Sequence, residues 1–321
     1  MEYFGMKAYD LSFIIPALNE QDSLPHVLKS IEEHTPEQLS YEIIVVDNGS
    51  TDDTVKLAKR HHAKVFVDPS LTIGGLRNLG VSHASAAILV FLDADILLTN
   101  QWKKNIPAVL EALKTNPMTV TGSRCGIGDN ASWIERFWFK PLITEQSTYI
   151  NSGHLITTST LFERVGGFDS NVATGEDYLF SRSASDVNAV IENKPLLTVV
   201  HMGYPRTLRQ FAQREIWHGV GDCGSIHSVL SSKVAIASFL FVMLHVVLAA
   251  IFICQIGLTY ILAIAFLIVG ACFASAIYKH RVKDIFSLFV VGCLYYVYYF
   301  SRFMSCLYAR LFPDKILNRH R

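Results

Sequence analysis

Charged residues are scarce in this sequence, and that scarcity excludes two classes of protein. Charged residues make up 17% of the 321 residues, 28 Lys and Arg balance 28 Asp and Glu, and half of the residues are hydrophobic. Such a composition, with a mean hydropathy of +0.29, is too apolar for a disordered chain. It also lacks the positive field that attracts nucleic acid, so no nucleic-acid partner is expected.

One long segment has no charged residue at all. Residues 234–278 contain no Asp, Glu, Lys or Arg. At about 1.5 Å per residue, this segment crosses a hydrocarbon core of roughly 30 Å about twice. We therefore expect a soluble domain over residues 1–225 and a membrane domain over residues 226–321, with helices near 234–254 and 257–278.

Cysteine is sparse, and no pair has the spacing of a metal site. The six cysteines include no CxxC motif, and four of them lie in apolar segments, which predicts reduced packing residues: Cys125, Cys223, Cys254, Cys272, Cys293 and Cys306. The N-terminal MEYFGMKAYD also lacks a basic segment followed by an apolar run, so we do not expect a signal peptide. The front domain should therefore remain in the cytoplasm.

The C-terminal part is basic. Residues 279–321 hold eight Lys and Arg against two Asp, a net charge of +6 that leaves −6 for the rest. The positive-inside rule returns the basic segment 279–283 to the cytoplasm. A third apolar run, about 285–312, contains Arg302, and if it crossed the membrane the basic C-terminus would emerge outside. A re-entrant or interfacial helix fits these charges better, in a multi-pass protein of the inner or plasma membrane.

The front domain has the pattern of an α/β fold. Apolar β-branched runs alternate with helical segments from residue 11 to about 121, which is typical of a mostly parallel sheet buried on both faces. The predicted strands are Leu11–Ile15, Glu42–Val46, Lys64–Val67, Ala87–Leu92 and Met118–Thr121. Such a sheet has a crevice of nucleotide size at its strand ends.

Acidic residues follow two of these strands. Asp93 and Asp95 are one residue apart at the end of the fourth run, where their charges repel unless a cation lies between them or they diverge in a turn. Carboxylates of this kind suit Mg²⁺ or Mn²⁺ when phosphate oxygens complete the shell; a solvated turn is the alternative. Asp47 ends the second run and can accept hydrogen bonds from a base or a ribose, although the following Asn-Gly-Ser is also ordinary turn chemistry.

Five motifs occur together in one order. They are Ile15-Pro16-Ala17-Leu18-Asn19-Glu20, Asp47-Asn48-Gly49-Ser50-Thr51-Asp52, Gly75-Leu76-Arg77-Asn78-Leu79-Gly80, Asp93-Ala94-Asp95 and Gly175-Glu176-Asp177. In this order and spacing, residues 10 to 220 resemble the family 2 glycosyltransferases of GT-A fold. The resemblance implies a nucleotide-diphospho-sugar substrate and a divalent cation.

The resemblance also implies roles for individual residues. The nucleotide-sugar pocket would comprise Pro16, Asn19, Glu20, Asp47, Arg77 and Asp93. Asp95 and Asp93 would coordinate the metal, with His201 as a further ligand unless it is a core or surface histidine. Asp177 resembles the catalytic base, and Glu176 would support it on the acceptor side.

The acceptor side is the least defined part. Asn151 and Gly153 belong to an acceptor-side loop or merely to a turn before a strand. Arg214 and Trp217 either contact the diphosphate or belong to an interfacial helix with an anchoring Trp. The neighbouring Trp133, Trp138 and Tyr149 stack on a sugar or isoprenoid, or form core.

One departure from the family bears on the product. Processive polysaccharide synthases of this family carry Gln-x-x-Arg-Trp, and the segment from Gln210 to Trp217 does not fit that spacing. We therefore expect inverting transfer of a single sugar to a hydroxyl of a membrane-associated, lipid-linked or glycan acceptor in cell-envelope polysaccharide or glycolipid synthesis. The alternatives are a polyprenyl-phosphate sugar synthase and a non-catalytic membrane protein that binds a nucleotide sugar.

Overall fold

The computed structural model describes residues 9–143, 149–172, 174–223 and 226–311. These residues form two compact units, one of residues 9–128 and 143–203, the other of residues 129–142 and 204–311. Residues 204–223 thus pack with the C-terminal helices. The boundary near residue 225 between a soluble domain and a membrane domain stays a prediction. The N-terminal octapeptide and the basic tail residues Lys315, Arg319 and Arg321 lie outside the described residues.

Strands and helices alternate through the first unit. The strands are β1 (Leu11–Ala17), β2 (Tyr41–Asp47), β3 (Lys64–Val67), β4 (Ile88–Leu92), β5 (Ile96–Leu98), β6 (Thr119–Gly122), β7 (His154–Thr158), β8 (Val190–Asn193) and β9 (Val199–His201). The helices of the whole chain are α1 (Leu24–His34), α2 (Thr54–Arg60), α3 (Ile73–Ser82), α4 (Asn100–Thr115), α5 (Lys140–Ile143), α6 (Ser159–Val165), α7 (Glu176–Asp186), α8 (Leu208–Gly219), α9 (Ile226–Ser231), α10 (Lys233–Ile253), α11 (Leu258–His280) and α12 (Ile285–Leu311).

Seven strands form one mostly parallel sheet in the order β3-β2-β1-β4-β7-β6-β8. The five predicted runs all form strands of this sheet, because their apolar residues are buried between helices on both faces. β3 is the exception to two-sided burial: it lies at the edge, and Lys64 and Val67 are exposed. Only β7 runs antiparallel to its neighbours, β4 and β6.

A second, two-stranded sheet extends the end of β4. β5 follows β4 after a turn and pairs antiparallel with β9, which places His201 opposite Ile96. Since Ile96 directly follows Asp95, this pairing brings a residue from far along the chain to the acidic turn. The pairing could not be read from the sequence, because both strands have only three residues.

Aromatic residues dominate the interior of the second unit. A π-helix, Glu135–Phe139, presents Trp138 to an aromatic cluster of Phe211, His280, Tyr295 and Tyr298. Trp138 is 5% exposed, so it is a core residue, whereas Trp133 is 45% exposed. The core alternative therefore applies to Trp138.

Three helices of the second unit, α10, α11 and α12, are long and apolar enough to cross a membrane. The two predicted spans correspond to α10 and α11. The third apolar run forms a single helix of 27 residues, with no break at which a re-entrant segment would turn back.

The expectation that every cysteine is reduced is wrong for one pair. Cys223 and Cys306 form a disulfide across 83 residues of chain. No local sequence pattern indicates this pair, because the pairing depends on α8 and α12 lying side by side. Cys125, Cys254, Cys272 and Cys293 form no disulfide within the described residues.

Candidate functional site

Asp93 and Asp95 lie in a tight turn directly after β4. The turn is closed by a hydrogen bond from the Ile96 amide to the Asp93 carbonyl oxygen, 3.1 Å. Their side chains face different partners, Arg77 for Asp93 and His201 for Asp95. The turn therefore directs the two carboxylates to different protein partners, and their shared cation stays a prediction.

Arg77 is a buried bridge between two acidic residues. It lies on α3 with 2% of its side chain exposed, and donates from Nη2 to Asp93 Oδ1 at 2.6 Å and from Nη1 to Glu176 Oε1 at 2.7 Å. Glu176 Oε1 also accepts a hydrogen bond from the Ser152 hydroxyl at 3.1 Å. Arg77 thereby ties the end of β4 to the start of α7.

Asp177 is a buried carboxylate at the first turn of α7. Asn151 Nδ2 donates to its Oδ2 at 3.0 Å, and the Tyr178 amide donates to its Oδ1 at 2.7 Å. Burial and the adjacent Glu176 charge raise the pKa of Asp177 to about 6, against the opposing effect of Arg77. A carboxylate with this pKa is deprotonated near neutral pH and still basic enough to accept a proton.

Asp95 faces His201 across the small sheet. Asp95 Oδ2 lies 3.6 Å from His201 Nε2. Burial and the neighbouring Asp93 charge raise the pKa of Asp95 to about 7. The backbone of Gly203 also comes close, because a Cβ built there would lie within 2.9 Å of the His201 ring and closer still to Asp95 Oδ2.

The Asp95 and His201 pair fits a divalent cation that takes its other ligands from elsewhere. Within residues 9–143, 149–172, 174–223 and 226–311 there is no group of three or more His, Cys, Asp or Glu that could hold a metal alone. A carboxylate oxygen and an imidazole nitrogen are acceptable donors to Mg²⁺ or Mn²⁺, which commonly bind through one or two protein groups and phosphate oxygens. The negative charges of Asp93 and Asp95 repel each other, and a cation bound there would relieve that repulsion.

The loops after β1 and β2 are joined by hydrogen bonds. The Asn19 amide donates to Ser50 Oγ at 2.8 Å, and Asn19 Oδ1 accepts from the Thr51 amide at 2.9 Å. Asp47, 1% exposed, accepts from the amides of Gly49 and Ser50 at 2.9 and 2.8 Å. Its carboxylate therefore shapes the turn, and its contact with a base or ribose stays a prediction.

Glu20 lies on the same side as the acidic turn. Burial raises its pKa above the usual range, against a hydrogen bond from Ser23, and the charges of Asp95 and Asp93 raise it further. Its amide is fixed by Thr54 Oγ1 at 2.8 Å. Pro16, in the buried strand β1, pairs in register with Val46.

Of the four acceptor-side candidates, two join the site and two lie in the second unit. Asn151 holds Asp177, and its Oδ1 accepts from the Gly153 amide at 2.8 Å. A Cβ on Gly153 would lie 2.9 Å from Asp93 Oδ2. Arg214 and Trp217 are on α8, where Arg214 pairs with Glu215 at 2.8 Å; their acceptor role stays a prediction.

Sequence reasoning missed Ser152 and Gly203. Ser152, 3% exposed, supports Glu176, and Gly203 is the residue that can approach Asp95 so closely. Small residues such as these carry no chemical signal of their own. The only indication was their position beside the candidate residues Asn151, Gly153 and His201.

The sequence of residues 12–166 matches the model of the family described as glycosyl transferase family 2. An uncharacterized glycosyltransferase of Mycobacterium tuberculosis strain H37Rv is 35% identical over 127 residues, 39% of this chain and 54% of that protein. Glycosyltransferase AglE of Haloferax volcanii is 27% identical over 198 residues, 55% of this chain and 61% of that protein. The matched region thus spans about half the length of the mycobacterial relative.

Solved structures show the same fold. The mannosyltransferase PcManGT of Pyrobaculum calidifontis, solved with GDP-Man and Mn²⁺, has a TM-score of 0.54 at 16% identity, covering 96% of this chain and 90% of that one. GalNAc-T7, solved with UDP, GalNAc and Mn²⁺, has a TM-score of 0.50 at 17% identity, covering 68% and 51%. These similarities confirm the GT-A fold predicted for the first unit.

Proposed function

Because residues 12–166 match the model of glycosyl transferase family 2, we propose that the chain moves one sugar from a nucleotide-diphospho-sugar to a hydroxyl of a membrane-associated acceptor. The observation that carries the proposal is the buried pair Arg77 and Glu176, which holds the Asp93 turn and the Asp177 carboxylate in one site. Donor-side and acceptor-side groups are thereby fixed relative to each other before substrate binds.

Asp177 is the proposed general base. It has a pKa of about 6, and Asn151 orients one of its oxygens. When the acceptor hydroxyl attacks the anomeric carbon, its proton passes to the free lone pairs of Asp177, and the bond to the diphosphate breaks on the opposite face. A single displacement of this kind inverts the anomeric centre.

The donor side is proposed to hold a divalent cation at Asp95 and His201. When bound, the cation supplies charge neutralisation for the departing diphosphate. This chain's own contribution is to position the ligands: the pairing of β5 with β9 brings His201 to Asp95, and Arg77 holds Asp93 beside them. Structures of similar fold solved with Mn²⁺ and a nucleotide support this assignment.

The membrane-associated acceptor is inferred from the composition of the chain. The transferase domain is followed by helices apolar enough to cross a membrane, and nucleotide sugars are made in the cytoplasm. A lipid-linked or glycan acceptor of the cell envelope is therefore proposed, because membrane helices would hold the transferase domain beside it. The missing Gln-x-x-Arg-Trp motif favours addition of one sugar over polymer synthesis.

The donor and the cation are testable together without knowing the acceptor. Thermal unfolding of the purified chain should shift upward with the right nucleoside diphosphate and Mn²⁺, and the shift should vanish with EDTA or in Asp95→Asn. Asp186→Asn, on the exposed end of α7, is the matched control and should retain the shift. A panel of UDP, GDP and dTDP that gives no Mn²⁺-dependent shift would contradict the donor assignment.

The base is tested by Asp177→Asn in a membrane assay that follows sugar transfer to extracted lipid. A hydroxyl acceptor requires proton removal, so we expect a loss of about 10²–10⁴-fold in kcat, with nucleotide binding retained. A loss of only a few-fold would instead favour a phosphate acceptor, which needs no strong base. Absence of both transfer and donor hydrolysis in the unaltered chain would favour a binding protein.

A further inference from the structure

We propose that α12 does not cross the membrane but lies along one leaflet, with one apolar face in the lipid, at the end of the α10–α11 hairpin where α10 begins. The partner of this surface is the acyl region of a single leaflet. The inference concerns the second unit alone and is independent of the proposed chemistry.

Both ends of α12 contact segments that precede α10 in the chain. Near its start, the ring of Phe286 lies 5.7 Å from that of Phe137 on the π-helix. Near its end, Arg302 donates to Asp222 at 3.0 Å, and Cys306 is joined to Cys223. A helix that crossed the bilayer would have only one end beside these segments.

The second half of α12 contacts α11 at the wrong level for a span, although Gly292 still lies level with Phe273. α12 begins five residues after α11 ends, so an antiparallel third span would place Tyr299 level with Phe266. Instead the Tyr299 hydroxyl lies 2.6 Å from Ser275 Oγ. The displacement is nine residues along α11, about 14 Å, and it brings Tyr299 back toward the end at which α12 began.

Contacts with α10 give the same result. In a span, Phe303 would lie level with Leu262, deep in the hairpin. Its ring is 5.0 Å from that of Phe239, in the second turn of α10. Because the turn of the hairpin brings Ile253 level with Leu258, Leu262 is level with Ala249, which lies 10 residues, or about 15 Å, from Phe239; this exceeds the length of a side chain. Tyr296, halfway along α12, contacts His245 in the middle of α10, with 2.9 Å between the hydroxyl and Nε2. α12 therefore lies obliquely across the hairpin, and its end returns toward the start of α10.

The surface of α12 carries an apolar stripe. Its residues follow one another at three- or four-residue steps, which places them on one helix face, and all are exposed except the half-buried Phe300: Ile285, Phe289, Cys293, Tyr296, Phe300, Met304, Leu307 and Leu311. Phe286, beside the first of them, is also exposed. The opposite face is covered by protein and holds the polar groups, among them Ser301 and Ser305, both at most 4% exposed. One apolar face along the full length is typical of a helix that lies in the interface.

Charge identifies the leaflet. Lys279, Arg281 and Lys283 are exposed at the turn between α11 and α12, at the hairpin end where α12 lies. A cluster of basic residues is attracted to anionic headgroups of the cytoplasmic leaflet. The acyl chains of that leaflet are therefore the proposed environment of the apolar stripe.

The test is single-cysteine labelling of the full chain in sealed membrane vesicles of known orientation. The exposed free cysteines are first removed (Cys254→Ser, Cys293→Ser), and this parent sets the background. Lys283→Cys, Leu311→Cys and Gln255→Cys then report the start of α12, its end and the tip of the hairpin. Each is treated with a membrane-impermeant maleimide, and a permeant maleimide measures total reactivity.

We expect the cysteines at 283 and 311 to react from the same side and the one at 255 only from the other. Labelling at 311 together with 255, opposite to 283, would show that α12 crosses and would overturn the proposal. Labelling of all three from one side would overturn it as well, because the hairpin would then not span.

Discussion

Replacing Arg77 with methionine should weaken the first unit and shift the pH dependence of transfer. The substitution keeps a long, nearly linear side chain but removes the charge between Asp93 and Glu176, which lie 2.6 and 2.7 Å away. The side chain of Glu176 is 8% exposed, so its charge would lose its only ionic partner among the described contacts, while Asp93, 36% exposed, retains some solvent.

The expected loss of stability follows from that difference in exposure. Removing one partner of a buried ion pair costs about 3–5 kcal/mol, and the partial solvation of Asp93 favours the lower end, about 3 kcal/mol. For a unit of this size, that corresponds to a fall in Tm of about 6–12 °C. Thermal unfolding in detergent, without nucleotide or metal, measures it.

The pH effect has a definite sign. Arg77 lowers the pKa of Asp177, which is about 6 in the unaltered chain. Without Arg77 the carboxylate stays protonated to a higher pH, so the acid limb of the kcat/KM profile should move upward. Arg164→Met, on the exposed side of α6, is the control. A variant with unaltered Tm and an unaltered acid limb would refute the bridging role of Arg77.

Three further outcomes are expected. In the unaltered chain kcat/KM should rise with pH through about 6, because Asp177 must be deprotonated to act as a base, and a pH–rate profile flat from pH 5 to 8 would contradict that role. Gly153→Ala should reduce kcat/KM by about 10- to 100-fold, because its Cβ would lie 2.8–2.9 Å from Asn151 Oδ1 and Asp93 Oδ2. Gly128→Ala is the control: its Cβ would lie 3.6 Å from the Val200 side chain, so kcat/KM should be nearly unaltered. Removing the disulfide by Cys223→Ser with Cys306→Ser should lower the unfolding free energy by about 2–4 kcal/mol, and an equal Tm in reductant-free buffer would show that the bond contributes nothing.

Local pattern was sufficient for the five predicted strands of the main sheet and for the acids that follow two of them. Strands buried on both faces read as apolar runs, and acids at their ends fall at one edge of a parallel sheet, so Asp93 and Asp95 could be singled out. Arg77 was identified as a motif residue, but its ion pairs with Asp93 and Glu176 were not predicted. Glu176 is 99 residues away along the chain, and no periodicity encodes a contact of that separation.

The sequence alone established that this chain joins an α/β domain to helices of membrane length. The period of hydrophobic residues and the absence of charge can both be seen within short segments of sequence. The tertiary structure decided that His201 meets Asp95, that Asn151 holds Asp177, that Cys223 bonds to Cys306, and that α12 lies across the hairpin. Each of these joins segments distant in sequence, and its free energy comes from packing that exists only once the intervening elements have folded.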